Sequence, residues 1–144
     1  MQGHIIHIDF GFMLSNSPGG NWNWEQSPFK LTAEYVAVMG GVHSDLFSYF
    51  RMLVTRGFLE ARAHVDEFCV LCAVHARASG MPCFSGPGGI GAGAAVDAMR
   101  ARFAMHLTSE IEVEKYVDNL IDNSIDNWRS RKYDRFQRLI SGIM

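Results

Sequence analysis

The sequence has few of the features that mark extracellular, membrane-spanning or nucleic-acid-binding proteins. Its three cysteines, an odd number, fit a reducing compartment better than a disulfide framework. It has no run of 18 apolar residues and no basic segment at its start, so we expect neither a membrane span nor a secretory signal. It also lacks a basic surplus: the formal net charge of −2 argues against a general nucleic-acid binder.

What the sequence does have is enough apolar material for one core. Its 144 residues, 48% hydrophobic and 19% charged, are typical of a single globular domain rather than of two domains or a disordered chain. A cytoplasmic protein is the expectation that follows.

Residues 4–9 predict a strand that ends in an acid. His7 and Asp9 lie on one face of this strand, and Phe10 and Gly11 follow at once. Kinases hold Mg²⁺ on the aspartate of such a triplet. Asp and Gly are also common where an ordinary strand runs into a turn, so the triplet alone leaves both interpretations open.

The rest of the sequence predicts a long loop and a mainly helical body. Residues 12–29 are rich in Ser, Asn, Gly and Pro, which is typical of a functional lid or a mobile segment. A short helix is expected from Thr32 to Gly40. Ser44 then predicts the N-cap of a long helical pattern, which we expect Gly57 to divide in two.

Further helices are expected in the second half of the chain. Residues 80–95 predict a glycine-rich linker, after which helical spacing resumes at Val96. Thr108 predicts an N-cap, and a last helix is expected over roughly residues 130–140. The helix after Thr108 is predicted to turn five residues to the core: Val113, Val117, Leu120, Ser124 and Trp128.

Two local patterns match ligand-binding motifs, but a structural role is favoured for each. The run 86–91 fits G-x-G-x-x-G literally, yet no strand is predicted before it, so a flexible linker is the better interpretation. Cys69, Cys72, His75 and Cys83 could supply zinc ligands. Their position in an apolar helix favours buried cysteines instead.

The C-terminal segment 128–138 is basic and amphipathic. It begins at Trp128 and contains one acid, Asp134, and five basic residues: Arg129, Arg131, Lys132, Arg135 and Arg138. Such a helix is typical of one that lies on an anionic membrane. The alternative is a helix docked on the core, its cations compensating the acidic stripe Asp118, Asp122 and Asp126. That stripe is otherwise expected to be a solvated helix face.

Several motifs, in order along the whole chain, resemble the phosphatidylinositol 3-/4-kinase superfamily and, within it, the type III beta phosphatidylinositol 4-kinases. The motifs are Gly-His-Ile-Ile-His-Ile-Asp-Phe-Gly-Phe at 3–12, Phe-Lys-Leu-Thr at 29–32, Val-Met-Gly-Gly at 38–41, Met-Pro-Cys-Phe at 81–84, Arg-Phe-Ala-Met at 102–105, Tyr-Asp at 133–134, Phe-Gln at 136–137 and Gly-Ile-Met at 142–144. The resemblance implies that residues 1–144 are the C-terminal-lobe part of a kinase-like α+β catalytic domain, with ATP and Mg²⁺ as cofactors.

The resemblance also assigns roles to residues. Asp9 would coordinate Mg²⁺ on the ATP phosphates, Phe10 would pack against the domain, and Gly11 would let the backbone turn away. His7 is expected to be a hydrogen-bonded structural histidine. The implied protein is a transferase, cytoplasmic and peripheral on Golgi-type membranes, and the sequence identifies no protein partner.

Residues 12–30 would be the activation loop, which in lipid kinases contacts the inositol headgroup. Lys30 is its only basic residue. A loop that received a bisphosphorylated headgroup would need several Lys or Arg, so one lysine favours unmodified phosphatidylinositol and the 4-kinase reaction. Trp22 and Trp24 would lie at the membrane interface or pack the loop on its own domain.

The phosphate-binding lysine, the adenine-binding lobe and the catalytic loop of the family have no counterpart in the 144 residues. We therefore expect the isolated chain to have no kinase activity. The alternative function is an inactive truncated product that serves only as a membrane- or partner-binding module.

Overall fold

A computed structural model describes residues 13–14, 27–85 and 91–142 of the chain. The described residues form seven helices: α1 Ala33–Val38, α2 Asp45–Ala63, α3 Val65–Ala78, α4 Pro82–Ser85, α5 Ala92–Arg102, α6 Glu110–Ser124 and α7 Trp128–Ser141. The only β-structure of these described residues is an isolated parallel bridge between Leu31 and Ile125. The mainly α-helical body is confirmed, while the strand predicted over residues 4–9 lies outside the described residues.

None of the helices in the described ranges is both long and apolar enough to cross a lipid bilayer.

The main core lies where α2 packs against α6. Its buried residues come from both helices, from α1 and from the extended segment before α1: Leu31, Val36, Phe47, Val113, Val117 and Ile121. Phe47 and Ile121 are 0% exposed. Full burial of a side chain of this size contributes about 1.5–3 kcal/mol, so this contact holds α2 and α6 together.

The predicted core face of α6 is correct at three of its five positions. Val113, Val117 and Ser124 are buried, whereas Leu120 is only half-buried and Ile121 takes the innermost place. The prediction was wrong for Trp128, which is 58% exposed. The reason is that α6 ends at Ser124, so the helical spacing does not continue to Trp128.

A second, smaller core lies between α3, α4 and α5, with Cys83, Phe84 and Ala95 buried. Stacked aromatic rings connect it to the main core. The Phe103 ring, just after α5, lies 6.1 Å from the rings of both Phe58 in α2 and Phe68 in α3. Such pairs add about 0.5–1.5 kcal/mol beyond the area they bury.

Ser44 caps α2 as predicted, since its side chain accepts a hydrogen bond from the Phe47 amide. The division at Gly57 was wrong, because α2 runs unbroken to Ala63 and the chain bends at His64. A glycine inside a helix costs about 1 kcal/mol. Packing of Val54 and Phe58 against the main core, on either side of Gly57, outweighs that cost.

The cap of α6 is Ser109, one residue after the predicted Thr108. Ser109 and Glu112 form a reciprocal capping box, in which each side chain accepts a hydrogen bond from the other residue's amide. Hydrogen bonds from the backbone and then the side chain of Ser109 lower the pKa of Glu112. Local sequence therefore located this helix start to within one residue.

The linker predicted over 80–95 was too wide, because α4 and the start of α5 lie inside it. Residues 86–90 lie outside the described residues. Cys69 and Cys83 are buried, and the Cys72 Sγ lies 3.4 Å from the Met99 Sδ. Burial raises the pKa of Cys72, as expected for a thiol that acts as a small apolar side chain. No cluster of three metal-ligating side chains occurs in the described part of the chain.

Candidate functional site

The predicted site residues divide into two groups. Asp9, Phe10 and Gly11, together with His7 and the two loop tryptophans, lie outside the described residues. Lys30 and all of α7 are described, and they lie side by side. The part of the candidate site that the structure describes is therefore the junction between residues 27–32 and the segment 124–138.

Backbone contacts fix residues 27–32 against the end of α6. The Asp126 amide donates to the Leu31 carbonyl over 2.8 Å, next to the parallel bridge between Leu31 and Ile125. The Phe29 amide donates over 3.3 Å to the Oγ of Ser124. Leu31 is buried and apolar, so the end of the predicted activation loop is held by packing as well as by hydrogen bonds.

Ser124 is the polar centre of this junction. It is 1% exposed, and its hydroxyl donates to the Leu120 carbonyl over 2.7 Å while it accepts from the Phe29 amide. A buried hydroxyl costs free energy unless it is hydrogen-bonded, and both roles of this one are filled. Sequence periodicity placed Ser124 on the core face but gave no sign of its partner.

Lys30 forms an ion pair with the only acid of the basic segment. Its Nζ lies 2.6 Å from the Oδ1 of Asp134, and the two side chains are 47% and 31% exposed. An ammonium group has three donors, so one is used here and two are left for another acceptor. The predicted headgroup lysine is thus held on α7, a contact that sequence reasoning missed.

The turn between α6 and α7 sets the position of α7 and therefore of Asp134. Asp126 has a left-handed backbone (φ 41), which aspartate tolerates better than most residues. Asn127 then caps α7, its side chain accepting from the Arg129 amide over 3.0 Å. One turn before Asp134, Ser130 is buried, so this face of α7 is turned to the protein.

A cleft of about 390 Å³ lies beside the junction. Three acids, three arginines and one threonine line it: Thr32, Glu34, Asp126, Arg131, Asp134, Arg135 and Arg138. Arg131 pairs with Asp126 at 3.2 Å. A hydrogen bond from the Thr32 side chain lowers the pKa of Glu34, helped by Arg138 and Lys30. The cleft therefore mixes both signs of charge.

The opposite face of α7 is exposed and partly apolar. Its large apolar side chains in solvent are Trp128, Phe136, Leu139 and Ile140, of which Leu139 is 76% exposed. Lys132 is exposed between them, and the Arg129 guanidinium lies 5.1 Å from the centre of the Trp128 ring. Apolar and basic groups thus share one surface, as on helices that lie on membranes.

The docked alternative for α7 is also partly realised. The helix lies on the protein through Ser130 and Asp134, and Arg131 neutralises Asp126 of the acidic stripe. Asp118 and Asp122 instead pair with Arg51 of α2, at 2.9 Å for Asp118. These two acids join α2 to α6, whereas the sequence predicted a solvated face or compensation by α7.

The sequence matches known lipid kinases along its whole length. Residues 1–86 match the family model of phosphatidylinositol 3- and 4-kinases. The chain is 46% identical to phosphatidylinositol 4-kinase beta 1 of Arabidopsis thaliana, over 99% of the chain and 12% of that protein. It is 44% identical to a phosphatidylinositol 4-kinase of Dictyostelium discoideum, over 99% of the chain and 11% of the relative. It is 41% identical to phosphatidylinositol 4-kinase beta of Xenopus laevis, over 99% of the chain and 17% of the relative.

The chain therefore spans 11–17% of the length of these relatives, all of which carry the name phosphatidylinositol 4-kinase. The family model covers more than half of the chain. The sequence motifs are distributed along the chain from residues 3–12 to residues 142–144. The chain belongs to the phosphatidylinositol 3- and 4-kinase family and is related to the beta-type phosphatidylinositol 4-kinases.

Proposed function

We propose that the chain is the C-terminal part of a phosphatidylinositol 4-kinase catalytic domain. In the complete enzyme, the γ-phosphate of ATP would be transferred to the 4-hydroxyl of phosphatidylinositol. The names of relatives that match over 99% of the chain support this reaction. Because the chain spans a minor part of each relative, the activity belongs to the longer protein.

Asp9 is the residue that we propose holds Mg²⁺. A carboxylate is the hard oxygen donor that Mg²⁺ prefers, so the donor chemistry of Asp9 fits the metal. With ATP bound, the ion would neutralise charge on the nucleotide phosphates. Phe10 and Gly11 would shape the turn that orients the Asp9 carboxylate.

Lys30 is the residue that we propose contacts the headgroup. Its ion pair with Asp134 carries this proposal, because it holds the only cation of residues 12–31 at the surface with donors to spare. One ammonium suits the single phosphodiester of phosphatidylinositol, whereas a bisphosphorylated headgroup would call for several cations. This charge count favours the unmodified lipid as substrate.

The exposed face of α7 is the surface that we propose contacts the membrane. Trp128 and Leu139 would enter the interface while Lys132 meets anionic headgroups.

The test is Lys30→Met in the longest natural polypeptide that contains the chain, with phosphatidylinositol in vesicles and ATP varied separately. Loss of a charge-assisted hydrogen bond of about 1.5 kcal/mol predicts an approximately tenfold higher KM for phosphatidylinositol. The KM for ATP is expected to stay within twofold. Lys115→Met, on the exposed surface of α6, is the matched control.

An unchanged lipid KM in Lys30→Met would contradict the role of Lys30. A polypeptide that phosphorylates no phosphatidylinositol would contradict the proposed reaction and support the non-catalytic module.

A further inference from the structure

We infer that Asp134 is a positioning residue, which holds the Lys30 ammonium where the lipid headgroup must meet it. The inference rests on the proposed function, because it requires Lys30 to contact the headgroup. It adds a second residue, 104 positions further along the chain, to the determinants of lipid recognition.

The two side chains are presented by fixed backbone. Lys30 lies between Phe29, whose amide is bound to Ser124, and Leu31, which is buried and bridged to Ile125. Asp134 follows the buried Ser130 by one helical turn. Both Cα atoms are therefore anchored, and the 2.6 Å contact follows from the packing of α7.

Asp134 forms its ion pair with Lys30. The neighbouring Arg131 is paired with Asp126 at 3.2 Å. Asp134 is also the only carboxylate among residues 128–138, where it stands against five basic residues. An acid in so basic a segment lowers the attraction to anionic lipid, and the ion pair with Lys30 offers a reason for its presence.

The contact restricts Lys30 without blocking it. A free lysine side chain has many rotamers, and a partner that fixes its head group removes this rotamer entropy before the substrate binds. Two ammonium donors stay available, and the side chain is 47% exposed. Asp134 thus preorganises the donor for an incoming phosphodiester.

A purely structural role is a weak alternative. Exposed ion pairs contribute little to stability, and the side chains of this pair are 47% and 31% exposed. Ser124, Leu31 and the Asp126 amide already join the two segments. Removal of the Asp134 charge should therefore leave the fold intact and change the lipid kinetics.

The experiment uses Asp134→Asn, Lys30→Met and the double variant in the longest natural polypeptide, with melting temperature measured for each. Asp134→Asn is expected to raise the KM for phosphatidylinositol three- to tenfold. The KM for ATP and kcat at saturating lipid should stay within twofold. The double variant should match Lys30→Met, because Asp134 acts only through Lys30. Asp97→Asn, on the exposed surface of α5, is the matched control.

A reversed pair, Lys30→Asp with Asp134→Lys, separates positioning from structure. It restores the ion pair and any stability that Asp134→Asn loses, but it moves the cation to α7. We expect its KM for phosphatidylinositol to stay as high as that of Lys30→Met. Recovery of the normal KM by the reversed pair would overturn the inference, as would additive effects of the two single changes.

The inference and the proposed function fail in different ways. If Lys30→Met raises the lipid KM and Asp134→Asn does not, only the inference is wrong. If neither change affects the lipid KM, the role of Lys30 in the proposed function is wrong and the inference falls with it.

Discussion

His64 lies at the bend between α2 and α3, where its ring contacts a carboxylate on each helix. Its Nδ1 is 2.7 Å from Glu67 and its Nε2 is 3.4 Å from Glu60. The hydrogen bond with Glu67, followed by the charge of that carboxylate, raises the pKa of His64. Protonation of this one ring therefore ties the two helix ends together.

Stability should depend on pH through His64. Since its folded pKa lies above the unfolded value of about 6.5, the stabilisation is complete below pH 6.5 and is lost as pH rises through the folded pKa. Thermal melts from pH 5.5 to 8.5 should show this loss in the natural chain and its absence in His64→Gln. Because the ring is exposed, salt should weaken the effect.

His43→Gln, in the exposed turn before α2, is the matched control and should keep the pH dependence of the natural chain. The same pH profile in His64→Gln and the natural chain would show that the two glutamates do not act through His64.

At the scale of the element, local sequence predicted what local interactions decide. The N-cap of α2 was predicted correctly at Ser44, and that of α6 was predicted one residue before its true position at Ser109. Both caps were detectable because a side chain that accepts a hydrogen bond from an amide three residues later leaves a recognisable sequence pattern. The helix break predicted at Gly57 was wrong because contacts with the main core maintain the helix there, and helix propensity does not take such contacts into account. The start of α7 was placed two residues late, at 130 rather than Trp128.

The outer face of α7 should bind vesicles that contain anionic lipid. A basic residue near such a surface contributes about 1 kcal/mol, so Lys132→Gln should weaken binding about fivefold. Co-sedimentation of the purified chain with phosphatidylserine vesicles measures this, and Lys115→Gln on α6 is the control. Binding that does not depend on either the anionic lipid content or the salt concentration would contradict the proposed membrane surface.

At the scale of the whole molecule, the aromatic contacts of Phe103 connect the main core to the smaller one. Its ring meets Phe58 of α2 and Phe68 of α3, at 6.1 Å in each case. Phe58 itself packs against the main core, while α3 borders the smaller core. Cooperative unfolding of the main core and the smaller core should therefore depend on Phe103.

Phe103→Ala should lower the free energy of unfolding of the α3–α5 region by about 2–3 kcal/mol, less than for a fully buried ring. Hydrogen exchange should become faster in α3 and α5 and change little in α6. Leu139→Ala, on the exposed face of α7, is the control and should leave both regions unchanged. Equal acceleration in α6 would show that the chain unfolds as one unit.

The contacts that the sequence did not predict are those between distant positions. Lys30 with Asp134, Phe29 with Ser124, and Arg51 with Asp118 are 104, 95 and 67 residues apart. Charge and periodicity indicate that such residues should be paired, but the sequence contains many acids and cations that could serve equally well as the partner. The packing of α2 on α6 and the turn at Asp126 select the partners, and neither is encoded locally.

The bridge between Leu31 and Ile125 also sets an order of events during synthesis. Chains grow at about 5–20 residues per second, so roughly 5–20 s pass between the appearance of residue 30 and that of residue 134. Until then, the amide of Phe29 and the ammonium of Lys30 lack the partners that the finished protein gives them. A ribosome that stalls within this interval would leave the segment that we propose binds the headgroup without its support, so synthesis of α7 completes the described part of the site.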